Sequence, residues 1–254
     1  MPESLDGTIA LVTGASSGIG RAAAKRMAGE GAAVSIVARR RDRLEALAAE
    51  IRSAGGRACI VEADVTAARA AAEVVEKTVA EFGRLDTVVN AAGTMLNGDS
   101  VSSPLQEWDR MVDLNLKALM YVTKAALPHL LDGAQTGGRK VTDVVNIGSI
   151  AGRVPNARVA IYNATKFGVT AATEAWRQEF ANRNVRFSVI APGAVDTELF
   201  GHQQQTTQEH YTKLFSAVEK LHADDIAGAI AYIVTNPRRI AVNELVIRPT
   251  DQTL

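Results

Sequence analysis

Tyr162 and Lys166 stand four residues apart in an alanine-rich segment, and Ser149 precedes the tyrosine by thirteen. On a helix, that spacing places phenol and amine on one face, directed into the same volume. A free phenol titrates near about 10, and a neighbouring ammonium favours the phenolate, which brings the acid/base function toward neutral pH. A serine hydroxyl close by can hydrogen-bond an oxygen on which negative charge develops. The three groups therefore suit proton exchange at the oxygen of a carbonyl/alcohol pair. A lone Tyr-x-x-x-Lys is more often an interfacial tyrosine beside a solvated lysine, so its weight depends on what accompanies it.

A glycine-rich turn does so. Thr13-Gly14-Ala15-Ser16-Ser17-Gly18-Ile19-Gly20 runs directly into Arg21-Ala22-Ala23-Ala24. Gly14 permits a tight exit from a strand, Gly18 lets backbone approach a pyrophosphate, and Gly20 lets a helix pack closely on the sheet. The free amides at the start of that helix then face phosphate oxygens. Farther on, Ile36-Val37-Ala38-Arg39-Arg40-Arg41 ends a second apolar run without the carboxylate that would bind an unmodified adenosine ribose. Guanidinium groups there suit a 2′-phosphate, which predicts NADP(H) over NAD(H), with Arg39 as the first choice and Arg40 beside it. The competing reading is a solvated basic entrance to a helix.

The elements that must position these residues alternate along the whole chain. Strands are expected near Thr8–Thr13, Ala33–Ala38, Ala58–Glu62, Thr87–Asn90, Thr142–Ile147, Arg186–Ala191 and Asn243–Arg248. Between them, helical periodicity covers Gly20–Glu30, Asp42–Ala54, Ala67–Phe82, Pro104–Leu131, Ile161–Asn182 and Asp224–Thr235. This is the α/β pattern of a seven-stranded, doubly wound parallel sheet of Rossmann type, in a single domain over 1–254. Ser103 is placed as N-cap of the fourth helix, with Pro104 at its first position and Gln106 completing a capping box. Asp132–Lys140 reads as an exposed loop. The polar stretch Gly201–His210 falls within a candidate substrate lid at about 196–222.

The glycine spacing resembles the TGxxxGIG motif of the classical short-chain dehydrogenase/reductase family, and the match covers essentially the whole chain. Asn90-Ala91-Ala92-Gly93 is similar to the family's NNAG, with Ala91 replacing the second asparagine. Asp64-Val65 falls where the family contacts adenine. Pro192-Gly193, with Val195 and Thr197 beyond, falls where the family lines its nicotinamide pocket. The resemblance implies that Ser16, Ser17 and Ile19 bind cofactor with the three glycines, and that Ser149, Tyr162 and Lys166 form the catalytic set. Asn115 would be its fourth member, positioning a water for proton relay, and Lys166 would also hold the nicotinamide ribose. A homotetramer is implied through the helices of Tyr162 and Leu116 and the last strand, with a dimer as runner-up.

Substrate should meet Ser149, Tyr162 and the segments around them, which are mostly apolar or amide-bearing and suit a small or medium aldehyde or ketone. Asp196-Thr197-Glu198-Leu199, Gly201-His202 and the tail Ile247–Gln252 are similar to clavulanic acid dehydrogenase-like reductases within the family. Arg153, four residues beyond Ser149, is a candidate anchor for a substrate carboxylate. A catalytically silent NADP-binding sensor or scaffold is the alternative, and the presence of all three reactive side chains weighs against it. Extended relatives such as nucleotide-sugar epimerases need a further C-terminal domain, for which little sequence follows the last strand.

Composition bounds the partners. The 28 basic and 28 acidic side chains cancel, which gives no long-range attraction to nucleic acid or an anionic membrane. The single cysteine, Cys59, and the scattered histidines predict neither a disulfide nor a metal site. With no basic, apolar leader and no membrane-length apolar run, a cytoplasmic location is expected.

Overall fold

A computed structural model describes residues 4–202 and 218–253. Seven strands form one sheet: β1 Ile9–Thr13, β2 Ala33–Ala38, β3 Ala58–Glu62, β4 Thr87–Asn90, β5 Thr142–Ile147, β6 Val185–Pro192 and β7 Glu244–Ile247. All pairs are parallel and the order is β3-β2-β1-β4-β5-β6-β7. The strand order reverses between β1 and β4, which opens a crevice at their carboxyl ends where such sheets bind ligands. Every expected strand lies within one residue of its observed ends.

Among the described residues the α-helices are α1 Gly18–Gly29, α2 Arg41–Ser53, α3 Ala68–Phe82, α4 Leu105–Val112, α5 Ala118–Thr136, α6 Ala160–Phe180 and α7 Ala223–Val234. Because strand side chains alternate between faces, successive β1 residues serve opposite cores. Val12 joins Met27, Leu44 and Ile226 on the α1, α2 and α7 side, and Leu11 joins Val74, Val122 and Phe187 on the α3, α5 and α6 side. Trp176 of α6 stacks obliquely on Phe187, 5.8 Å between ring centres. Cys59 is only half-buried, packed at the rim of that core on the outermost strand β3.

The structure corrects three expectations. The helix begun near Pro104 is interrupted by a π-helical turn, Asp113–Lys117, that separates α4 from α5. Its N-cap residue is Pro104, extended at ψ 137°, and no side chain caps it, so Ser103 and Gln106 form no capping box. Asp132–Lys140 is not all loop: α5 continues to Thr136 because Gly133 lets the helix lie against the Leu85 carbonyl, 2.7 Å from where a Cβ would stand. Composition marked this stretch as a loop, whereas close tertiary packing keeps it helical. Most of the proposed lid, residues 203–217, lies outside the described residues.

At the amino ends of β5 and β6, away from the crevice, Arg186 grips Asp143 through two bonds of 2.7 and 2.9 Å, both side chains buried. The same guanidinium donates to the carbonyls of Asn236 and Ile240, tying the chain after α7 to the sheet. Removing one partner strands a buried charge. Asp143→Ala is therefore expected to cost about 3–5 kcal/mol of stability, read as a lower urea midpoint at unchanged slope.

Candidate active site

The cleft at the carboxyl edge of the sheet encloses about 660 Å³. One end is built by the turn after β1. Gly14 has φ +69°, and a Cβ there would stand 2.8 Å from the Ala91 carbonyl oxygen. At Gly20 a Cβ would come within 2.4 Å of the Gly14 carbonyl oxygen, so only glycine lets α1 start this close to β1. Thr13 Oγ1 accepts bonds from Ala91 N and Ala92 N at 3.1 and 3.2 Å, locking the β1 exit to the β4 exit. Ser17 precedes α1 without a side-chain cap, which leaves the first amides of the helix directed at the cleft. A phosphate pair fits this cradle of glycine backbone and helix amides.

Gly14, Ser16, Ser17, Ile19 and Gly20 all line the cleft. Gly18 does not, lying behind the lining against Thr197. Arg39, Arg40, Asp64 and Val65 line the adjoining wall. Arg39 stands 3.8 Å from Asp64 with its side chain 60% exposed. Asp64 is bonded by Thr66 through both backbone and hydroxyl, and these bonds with Arg39 nearby hold its carboxyl below the usual range despite partial burial. Arg40 instead folds onto the glycine turn, donating to Ser16 Oγ at 2.9 Å and Ser17 Oγ at 2.8 Å.

Ala91, Gly93, Pro192, Gly193, Val195 and Thr197 line the middle of the cleft. Asn90 lies beneath it, bonding Asn146 at 2.9 Å and Thr123 at 3.1 Å to join β4, β5 and α5. At Ala91, where the family motif has an asparagine, the backbone is held by Thr13 Oγ1.

At the far end, Ser149, Tyr162 and Lys166 come together on the lining. Tyr162 and Lys166 share one face of α6 near its start, both only 6% exposed, with the Lys166 Nζ 5.6 Å from the centre of the tyrosine ring. The ammonium donates to the Ile147 carbonyl at 2.8 Å, and burial brings its pKa down to about 8. It stays charged at neutral pH. Ser149 Oγ accepts from Ala151 N at 3.1 Å, which fixes the hydroxyl at the start of a short 3-10 turn. Met95, Leu96, Met111 and Val159 pack around Tyr162 as an apolar wall, and Trp108 leans on it.

Like Gly18 and Asn90, two further expected site residues stand off the lining. Asn115 is buried inside the π-turn and does not line the cleft. Its amide is spent on Thr94, accepting from the Thr94 N and donating to the Thr94 carbonyl at 2.8 Å each, so it clamps the strand-β4 exit onto the helix. Arg153 is also absent from the lining; it forms an ion pair with Glu244 on β7. The four-residue offset from Ser149 suggested proximity, but the 3-10 turn Ile150–Gly152 carries the chain toward β7 instead.

Sequence reasoning singled out two further segments without their contacts. The C-terminal tail enters the cleft through Asp251, Gln252 and Thr253, with Gln252 Oε1 accepting from Ala194 N at 2.9 Å. Glu198, on the segment after β6, pairs with Arg40 at 2.9 Å and also with Arg43. No local pattern signals either contact, because each joins segments more than fifty residues apart. Among the described residues no helix is long and apolar enough to cross a membrane, and no three His, Cys, Asp or Glu side chains gather as metal ligands would.

Known proteins match this arrangement over nearly its full length. The family model described as short chain dehydrogenase matches residues 8–208. An uncharacterized oxidoreductase of Staphylococcus epidermidis is 36% identical over 241 residues, covering 95% of this chain and 96% of the relative. A serine dehydrogenase solved with NADP+ superposes at TM-score 0.88 with 30% identity, over 97% of each chain. A 3-ketoacyl-(acyl-carrier-protein) reductase of Brucella melitensis, solved with NADH, superposes at 0.84 with 30% identity, over 96% of this chain and 98% of that one. The sheet order, the glycine turn and the matches along the chain agree, and the protein is a member of the classical short-chain dehydrogenase/reductase family of oxidoreductases.

Proposed function

We propose that the protein is an NADP(H)-dependent oxidoreductase that interconverts a small or medium aldehyde or ketone and its alcohol. The observation that carries this reading is the shared cleft: Tyr162 and Lys166 buried at one end, the glycine turn at the other, and Arg39 and Arg40 where a carboxylate would select NAD(H). Bound NADPH would supply the hydride that adds to the carbonyl carbon. Tyr162 delivers the proton to the carbonyl oxygen, and the charged Lys166 beside it lowers the cost of the resulting phenolate. Ser149 donates a hydrogen bond to the same oxygen as negative charge develops there. Asn115 acts as a positioning residue, holding Thr94 and the adjoining Gly93 against the cleft.

The apolar lining of Met95, Val159 and Leu199 favours an uncharged carbon skeleton near the reacting centre. With Arg153 engaged by Glu244, an acid-bearing substrate such as a clavulanate-type aldehyde rests on the tail and lid resemblance alone. Assembly as a homotetramer, with a dimer as runner-up, is supported by Met120 on α5 and Phe167 on α6, both 41% exposed, and by Tyr232 on α7 and Val246 on the edge strand β7. The half-buried free thiol of Cys59 suits a reducing, cytoplasmic setting.

The test is oxidation of NADPH and of NADH against a panel of neutral and carboxylated aldehydes and ketones, clavulanate-type aldehydes and 3-oxo acids included. Turnover of at least one carbonyl is expected, with kcat/KM for NADPH at least about tenfold above that for NADH, the margin of a lost charge-assisted contact. Equal efficiency with both nucleotides would overturn the cofactor assignment. Tight NADPH binding without turnover of any compound would favour a sensor.

A further inference from the structure

Glu198 reaches from the segment after β6 to the arginines that follow β2. Its Oε2 accepts from Arg40 Nη1 at 2.9 Å, and its Oε1 is paired with Arg43. The other edge of the Arg40 guanidinium is held by Ser16 and Ser17, so this side chain is stretched between the glycine turn and a carboxylate. Arg40 and Glu198 both line the cleft, and their side chains are 38% and 44% exposed, within reach of a ligand entering there. Hydrogen bonds from Arg40 and then Arg43 bring the Glu198 carboxyl down to about 2, so it is an anion at any working pH.

A phosphate monoester carries about −1.5 to −2 charges at neutral pH and three strong acceptor oxygens. With Nε and Nη2 of Arg40 given to Ser16 and Ser17, a 2′-phosphate directed at this side chain must bind at Nη1 beside the Glu198 carboxylate, and two anions on one guanidinium repel each other. Arg39 differs: it stands 3.8 Å from Asp64, beyond hydrogen-bond length, so its donors meet weaker competition from protein.

We infer that Glu198 is a cofactor-discriminating residue, competing with the ribose 2′-phosphate for Arg40 and Arg43 and thereby weakening the hold on 2′-phosphorylated nucleotides. This rests on the NADP(H) reading above. The carboxylate sets how tightly the phosphorylated cofactor is retained and touches no reacting atom. Its effect is expected only on ligands that carry the extra phosphate, because the ion pairs engage the arginines that follow β2.

The experiment is calorimetric titration of the wild-type protein and Glu198→Gln with adenosine 2′,5′-bisphosphate and with 5′-AMP. Glutamine keeps the size and one acceptor while removing the charge. Affinity for the bisphosphate is expected to rise about three- to tenfold in the variant, the scale of one or two part-exposed ion pairs released, with 5′-AMP unchanged. Unchanged or weaker bisphosphate binding in the variant, with the wild type still preferring the bisphosphate over 5′-AMP, would overturn the competition alone and leave the cofactor assignment standing. A wild type that binds both nucleotides equally would overturn both. A rise shared equally by the two nucleotides would also overturn the proposal, since it would not depend on the 2′-phosphate.

Discussion

Tyr162→Phe is expected to lose about 10²–10⁴-fold in kcat while NADPH affinity stays at the wild-type level. The substitution removes one oxygen and keeps the ring, which is buried against Met95, Leu96, Met111 and Val159. The wall of the cleft is therefore preserved, and the Lys166 bond to the Ile147 carbonyl does not involve the phenol. In the proposed reaction, what disappears is the proton donor for the carbonyl oxygen. Steady-state NADPH oxidation gives kcat, and quenching or transfer of nucleotide fluorescence gives the binding constant. A variant that turns over at close to the wild-type rate would remove Tyr162 from acid/base work, whereas a parallel loss of NADPH binding would point to a collapsed site.

The second large effect concerns Lys166, whose ammonium is held in the protein's interior. Lys166→Met keeps the length of the side chain without its charge, and turnover is expected to fall by a similar factor of about 10²–10⁴ because the phenolate loses its counter-charge. Stability supplies a second readout. Burial lowers the lysine from 10.5 to about 8 in the folded protein, so between those values the unfolded chain binds more protons than the folded one. Folding of the wild type therefore gains with rising pH across that window, by about 3 kcal/mol relative to Lys166→Met, and the difference between the two is flat below pH 8. Urea unfolding at several values between pH 7 and 10.5 measures it. A difference independent of pH would mean that the buried amine is not held at a lowered pKa.

Most of the sheet was legible because its strands are short β-branched runs and both faces are covered. Val88 and Val89 on β4, for example, are fully buried and point to opposite cores. Periodicity located α1, α2, α3, α6 and α7 for the same reason: each presents an apolar stripe to the sheet. Between 104 and 136 it found the helix but neither its interruption nor its end. A π-turn adds no residue type that a helix lacks, so Asp113–Lys117 looks helical in sequence. Gly133 signals a loop unless the Leu85 backbone is known to lie against it.

For the site, residue identity and chain order were enough to pick out the glycine turn, the arginines after β2 and the Ser149, Tyr162 and Lys166 set. Each depends on local geometry: a glycine at positive φ, an i, i+4 spacing, and a position at the carboxyl end of a strand. Tertiary structure decided everything that depended on which distant segments meet. It sent Arg153 to Glu244, turned Asn115 inward to Thr94, brought Gln252 to the backbone of Ala194, and placed Glu198 on Arg40 and Arg43. A side chain's partner is set by the sheet order and by the paths of the loops, and the charge or amide it carries is the same whichever partner it meets. The residue types that suit proton exchange and phosphate binding are therefore legible in the sequence, while the protein group that each charge meets follows from the fold.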